Sequence, residues 1–194
     1  MGPSTHTTIS LRVPRVPRRL RSLALVALGV GLALGASSLL RGGGGAGNEH
    51  VLKGPNGHHF TIRYPTSWQP LSKDELGLLA GNPVAALRSK DKAGFVMVRA
   101  EKGRAGGDLN DFARKLAAEL KKKVPDFKGR SAKLIKTRAG KAFYLSYIRQ
   151  QKGTLHSLVI VPAGPKTYTL NTVSNGRAAR TAREIGRIIV SFDR

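Results

Sequence analysis

The chain contains no cysteine. This absence excludes disulfide bonds, a zinc site built from thiolates and a lipid attached through a cysteine, so that any membrane attachment must come from the peptide itself. Acidic residues are absent before Glu49 and number 11 in all, against 34 lysines and arginines. The resulting net charge of +23 favours anionic partners, such as lipid headgroups, envelope polymers or nucleic acid, but it does not indicate a fold.

Residues 23–40 form an uncharged apolar run, LALVALGVGLALGASSLL. As a helix this run would be about 27 Å long, close to the thickness of a bilayer core. Five arginines precede it and only Arg41 follows it before Glu49. Since basic residues flanking a membrane span remain in the cytoplasm, the sequence predicts a cytoplasmic N-terminus at residues 1–22, a transmembrane signal anchor at 23–40 and an extracytoplasmic C-terminal domain.

A cleaved signal peptide is the alternative, and it would give a secreted protein. Ala33 and Gly35 are small residues placed so that a signal peptidase could cut after Gly35, and Gly35 with Ser37 offers a second position. The run is longer than the apolar region of an ordinary signal peptide, which favours a retained anchor. Residues 41–48, RGGGGAGN, form a glycine-rich linker. Residues 49–194 then make one globular domain with a net charge of about +17.

In most of the domain, short runs of alternating apolar and polar residues joined by short turns predict antiparallel strands. Strands are predicted at residues 60–64, 84–88, 95–100, 133–137, 142–149, 155–161 and 167–173. Trp68 lies in a proline-rich segment that favours no regular element, and it is expected to plug the edge of the core. Apolar residues alternate to both sides of the strand at 142–149, so both faces of the sheet should be covered.

Three helices are predicted, a short one at residues 74–80 and two amphipathic ones. The first amphipathic helix begins after Asp108, whose carboxylate can cap it, and ends before Pro125. The second runs from about Gly176 to Ser191 after a cap at Ser174 or Asn175. The outer faces of these two helices carry the candidate anion-contact residues, which are Lys121, Lys122, Lys123, Arg177, Arg180, Arg183 and Arg187. Lys128 and Arg130 extend the lysine cluster.

Four segments of the domain stand out, which are FTIRYPTSW at 60–68, KAFYLSYI at 141–148, VIVPAGPKTYTL at 159–170 and IIVSFD at 188–193. Together they resemble the PsbP-like family. The resemblance covers about residues 50–194 and implies a Mog1/PsbP-type fold, an α+β sandwich in which an antiparallel sheet is flanked by helices. Bacterial members are often secreted or membrane-attached, and plant relatives are non-enzymatic subunits of photosystem II. No residue of that role is carried over to this chain.

Motifs of known chemistry are absent from the sequence. There is no GxSxG turn, phosphate-binding loop, HExxH helix or pair of catalytic carboxylates. His50, His58 and His59 would need further ligands to hold a metal, and His156 fits a packed strand position better than a catalytic one. The GRAGG segment at 103–107 lacks the lysine and hydroxyl residue of a P-loop. No catalytic, metal or cofactor site is therefore predicted.

The sequence leaves three functional hypotheses. The first is a non-enzymatic binding or assembly module that is anchored in the membrane and contacts an envelope protein. The second is an electrostatic module that docks on anionic lipid or a cell-envelope polymer through the lysines and arginines named above. The third is an enzyme without a recognisable motif. Nucleic acid is not an expected partner, because export separates the domain from DNA and the tyrosines occupy packing positions.

Overall fold

A computed structural model describes residues 49–103, 108–124, 126–176 and 178–194. Within these ranges, nine strands and three helices follow one another in the order β1 (Glu49–Lys53), β2 (Thr61–Pro65), β3 (Trp68–Pro70), α1 (Lys73–Gly77), β4 (Ala85–Ser89), β5 (Gly94–Lys102), α2 (Leu109–Lys123), β6 (Phe127–Thr137), β7 (Gly140–Arg149), β8 (Thr154–Ala163), β9 (Lys166–Asn175) and α3 (Ala179–Val190). The predicted anchor and linker at residues 23–48 lie outside the described residues.

Seven strands form one antiparallel sheet in the order β3-β4-β5-β9-β8-β7-β6. Its second half is the meander predicted from the sequence, because short turns connect β6 to β9 in succession. Strand β9 then lies beside β5, which places the last strand in the centre of the sheet. Strands β1 and β2 pair separately as a two-stranded hairpin. The α+β antiparallel class is confirmed.

One face of the sheet, the α3 face, is covered by α3 and the β1-β2 hairpin. Its core joins side chains of β4, β5, β8 and β9 to Ile185, Ile188 and Phe192 at the C-terminus. Gly94 permits this close packing, since a Cβ there would overlap both Trp68 and Thr181 of α3. The expectation that Trp68 plugs the core is confirmed, because its side chain is only 2% exposed.

The opposite face, the α2 face, is covered by α1 and α2. Helix α2 packs Leu116, Leu120 and Val124 against β7 and β8, while α1 lies over a smaller cluster on β4, β5 and β9. Asp108 caps α2 as expected, accepting a hydrogen bond from the Asn110 amide. The prediction that apolar side chains occupy both sheet faces is therefore confirmed.

Three local predictions are wrong. The Trp68 segment is a short edge strand. Pro70 is compatible with this position because only one side of an edge strand forms hydrogen bonds to a neighbour, so a missing N–H can be accommodated. Strand β6 starts at Phe127, six residues before the predicted start. Helix α3 begins after Ala178 without a side-chain cap, because Ser174 and Asn175 belong to β9. In each case pairing with a neighbouring strand outweighed the local signal.

Candidate functional site: a basic edge of the sheet

Strand β6 lies at one edge of the sheet, and its outer side has no strand partner in the part of the chain that the structure describes. Within the described residues it pairs with β7 alone, from Phe127 to Thr137. The register shifts between Gly129 and Ser131, where a bulge accommodates Arg130. The strand therefore presents a long row of backbone groups that has no strand partner on its outer side.

The side chains of this open strand are predominantly basic. Lys128, Arg130, Lys133 and Lys136 are all exposed. None of the ion pairs formed among the described residues uses any of them. The sequence has no acidic residue between Asp126 and Glu184 that could neutralise them. Lys136 even lies opposite Lys141 in register, an arrangement of like charges that costs stability.

The predicted lysines of α2 lie at the start of this strand. Lys121 and Lys122 are exposed, whereas Lys123 is partly covered and its amino group lies 3.8 Å from the Glu119 carboxylate. Helix α2 ends at Lys123 and β6 begins at Phe127, so the lysines are adjacent to the strand along the chain. We define the basic edge as Lys121, Lys122, Lys128, Arg130, Lys133 and Lys136.

The arginines of α3 form a second, partly neutralised surface. Arg183 and Arg187 are exposed on the side opposite the core. Arg180 is engaged, because its Nε donates to a carboxylate oxygen of Glu184 at 3.0 Å. The same carboxylate accepts the Trp68 indole N–H at 2.8 Å, so Glu184 also contacts a core residue. Arg177 lies outside the described residues.

A buried polar group supports the strands behind the basic edge. The Arg149 guanidinium donates to Asp126 at 2.7 Å, and both side chains are more than nine-tenths buried. Burial alone would raise the pKa of Asp126, but the hydrogen bond and charge of Arg149 hold it below its usual value. This pair joins the start of β6 to the end of β7, which makes it a structural contact rather than a site open to a ligand.

His156 is packed in the core, as its strand position predicts. Its ring stacks on Tyr147 at 5.1 Å, and its Nε2 lies 2.9 Å from the Thr154 hydroxyl. Burial, helped by the charge of Arg149, lowers the pKa of His156 to about 4, and burial raises the pKa of Tyr147 to about 12. Both side chains are therefore neutral at pH 7, which suits packing.

The other histidines of the described residues, His50, His58 and His59, do not form a common site. His50 lies in β1 with its ring 5.5 Å from Tyr64, while His58 and His59 lie in the connection between β1 and β2 rather than in a strand. Across the described ranges no group of three or more histidines or carboxylates has metal-binding geometry. Residues 104–107 of the GRAGG segment lie outside the described residues.

Sequence reasoning missed the two lysines that complete the basic edge. Lys133 and Lys136 were expected in a strand but not as functional residues, because a single sequence does not show which strand lies at the edge. The only available signal was the long absence of acidic residues after Asp126. It marks the region as basic without showing where the strand lies in the sheet.

Among the helices that the structure describes, none has both the length and the hydrophobicity to cross a bilayer. The predicted anchor at 23–40 is not among these helices.

No family model and no curated protein sequence matches the chain. Solved structures do match. Cyanobacterial PsbP (CyanoP) from Synechocystis sp. PCC 6803 has 13% identity and a TM-score of 0.55, over 79% of this chain and 96% of that protein. LpqN of Mycobacterium tuberculosis, described as involved in cell envelope biogenesis, has 13% identity and a TM-score of 0.52, over 75% and 90%.

A third structure extends the comparison to yeast. The Ran-binding protein Mog1p of Saccharomyces cerevisiae has 6% identity and a TM-score of 0.51, over 76% of this chain and 95% of that protein. At these identities the similarity concerns the fold alone. With its seven-stranded antiparallel sheet between helices, the domain has the Mog1/PsbP-type fold that the sequence resemblance implied.

Proposed function

We propose that this chain is a membrane-anchored, non-enzymatic assembly module whose extracytoplasmic domain binds an anionic protein of the cell envelope through the basic edge. The observation that carries the proposal is the concentration of exposed, unpaired cations on β6 and at the end of α2. Like-charged groups held close together lower stability. A surface that keeps them gains when a partner supplies the opposite charge.

The location rests on the sequence of the N-terminal segment. The apolar run at residues 23–40 with arginines before it supports a retained anchor, and the glycine linker at 41–48 supports a domain that can move relative to it. Two of the structurally similar proteins are described as Ran-binding and as involved in envelope biogenesis. A fold that serves partner binding in other proteins is consistent with an assembly role here.

The test compares two triple variants with the same change in charge. Lys121, Lys128 and Lys133 become glutamine in the first, and Lys73, Lys90 and Lys92, exposed at the other end of the sheet, become glutamine in the second. A photoreactive residue replaces Arg130 in both, in the full chain in its own membranes. We expect one discrete cross-linked protein that is lost in the first variant and retained in the second.

Equal cross-linking of the two variants would refute a role for the basic edge. The cross-link should also weaken as salt is added, because exposed charges are screened within about 8 Å at physiological ionic strength. A yield that does not depend on salt would contradict an electrostatic partner. A C-terminal reporter found in the cytosol would refute the proposed location.

The exposed Arg183 and Arg187 favour a second candidate, docking on anionic lipid or an envelope polymer. Cations near a membrane surface each contribute about 1 kcal/mol to binding. Replacing both arginines by glutamine should then weaken binding to vesicles of phosphatidylglycerol and phosphatidylcholine in equal parts. If binding persists unchanged, this second function is wrong.

A further inference from the structure

The two edges of the seven-stranded sheet differ in length and chemistry. Strand β3 has three residues and ends in Pro70, which lacks an N–H, whereas β6 has 11 residues. An open strand of that length is a template on which another extended chain can pair. We propose that β6 binds an extended acidic segment of the partner protein as an additional β-strand, an inference that deepens the proposed function and rests on it.

The side chains along β6 define the sequence that this segment should have. Lys133 lies on the α3 face and Lys136 on the α2 face, with Leu134 between them and 41% exposed. An added strand places its side chains about 5 Å from those of β6. Acidic residues are therefore expected opposite the lysines, and an aliphatic residue opposite Leu134.

The bulge limits where regular pairing can occur. The register of β6 shifts between Gly129 and Ser131 and then continues without interruption to Thr137. A bulge twists a strand and breaks its row of hydrogen-bonding groups. The paired segment is therefore expected along residues 131–137, with Lys128 and the α2 lysines attracting it from outside the paired region.

Two other occupants fit this edge poorly. A second copy would bring Lys133 and Lys136 against the same basic residues of its partner, and like charges directly opposite each other destabilise strand pairing. A flat membrane surface would meet only one side of the strand, whereas successive lysines project to opposite faces of the sheet. An acidic strand can reach both faces at once.

The first experiment separates backbone pairing from charge. The probe is a fluorescent heptapeptide of sequence TETVETT, which, when paired antiparallel to residues 131–137, places glutamates opposite Lys133 and Lys136 and a valine opposite Leu134. Its control carries N-methyl groups on alternate residues, which block strand pairing without changing its charge. Binding to the full chain in non-ionic detergent is followed by fluorescence anisotropy. We expect the N-methylated peptide to bind about tenfold more weakly or worse, because the backbone hydrogen bonds are lost.

The second experiment tests the edge of β6 directly. Ser131→Pro and Ala132→Pro each remove one N–H without changing the charge, and in an antiparallel ladder neighbouring N–H groups point to opposite sides. In one of the two variants, the lost N–H is the one that bonds to β7. In the other, the lost N–H points outward from the sheet, so we expect this variant to stay folded, as judged by circular dichroism. The folded variant should lose peptide binding, while Lys133→Gln with Lys136→Gln should weaken it on the order of tenfold.

The outcomes of the two experiments distinguish a failure of the strand-addition proposal from a failure of the proposed function. If both peptides bind equally, or if the folded proline variant binds normally, strand addition is wrong although the electrostatic function stands. If neither peptide binds but phosphatidylglycerol vesicles do, the acidic-segment proposal is overturned in favour of a membrane surface. If Lys133→Gln with Lys136→Gln leaves peptide binding unchanged, the proposed function fails as well.

Discussion

The two ends of the sheet use their side chains in opposite ways. At the β3 end, Trp68 is buried against Gly94 and α3, and its indole N–H is bonded to Glu184. At the β6 end, most outward side chains are charged and exposed, and the outer side of the strand has no pairing partner among the described residues. One end therefore contributes stability, whereas the other is left available for contact.

The largest expected effect is a loss of stability at the β3 end of the sheet. Trp68→Ala should lower the free energy of unfolding by about 4 kcal/mol, because it leaves a cavity beside Gly94 and removes the indole donor from Glu184. Urea unfolding followed by circular dichroism measures the loss. The matched change at the other end, Lys133→Ala, should cost less than about 0.5 kcal/mol. Similar losses in the two variants would contradict the comparison.

A second prediction concerns the rings behind the basic edge, where the buried Tyr147 contacts Phe127 on one side and stacks on the buried His156. The folded pKa of His156 is lowered from 6.5 to about 4, so between these values the unfolded chain binds the extra proton. Its contribution to stability is complete above pH 6.5 and is lost as pH falls toward 4, amounting to about 3 kcal/mol.

Urea unfolding at a series of pH values tests this prediction. His156→Phe preserves a ring beside Tyr147 but does not titrate, so its stability should fall less steeply between pH 6.5 and 4. Asp126 contributes to the acid loss in both chains, since its lowered pKa means that stability is lost as pH falls through that value. Identical slopes for the two chains would exclude His156 as a source of the pH dependence.

The smallest expected effect tests whether like charges at the β6 end lower the free energy of unfolding. Lys136→Glu replaces a like-charge pair with an attractive one opposite Lys141, and it should raise the free energy of unfolding by about 0.5 kcal/mol. The same variant should bind the acidic peptide less well. Lys92→Glu, at an exposed turn of the other half, serves as the control and should change neither quantity by much. A loss of stability in Lys136→Glu would argue against charge repulsion at this edge.

Local patterns predicted most of the secondary structure. The alternation in β7 and β8 and the capped amphipathic helix after Asp108 are strong short-range signals, and these elements agree with the structure to within a few residues. The first half of β6 was missed, because its exposed polar residues and Gly129 lack an apolar alternation. Strand β1 was missed for a similar reason, since only its pairing with β2 reveals it.

The candidate site was only half predictable. The sequence identified the lysines at the end of α2 and the arginines of α3, because charge on one side of a helix follows from its period. It did not show that Glu184 accepts a hydrogen bond from Trp68 or that β6 lies at the edge of the sheet, since both depend on contacts between distant parts of the chain.

By itself the sequence determined the basic charge, the lack of thiol chemistry, the strand-rich composition of residues 49–194 and the character of the helices, because these follow from residue type and short-range spacing. The order of the strands was decided only in the tertiary structure. Strand β9 pairs with β5 across more than 60 residues of sequence, and that pairing, stabilised by burial on both faces, leaves β6 as the open edge. Long-range packing thus converted a basic segment into a basic edge.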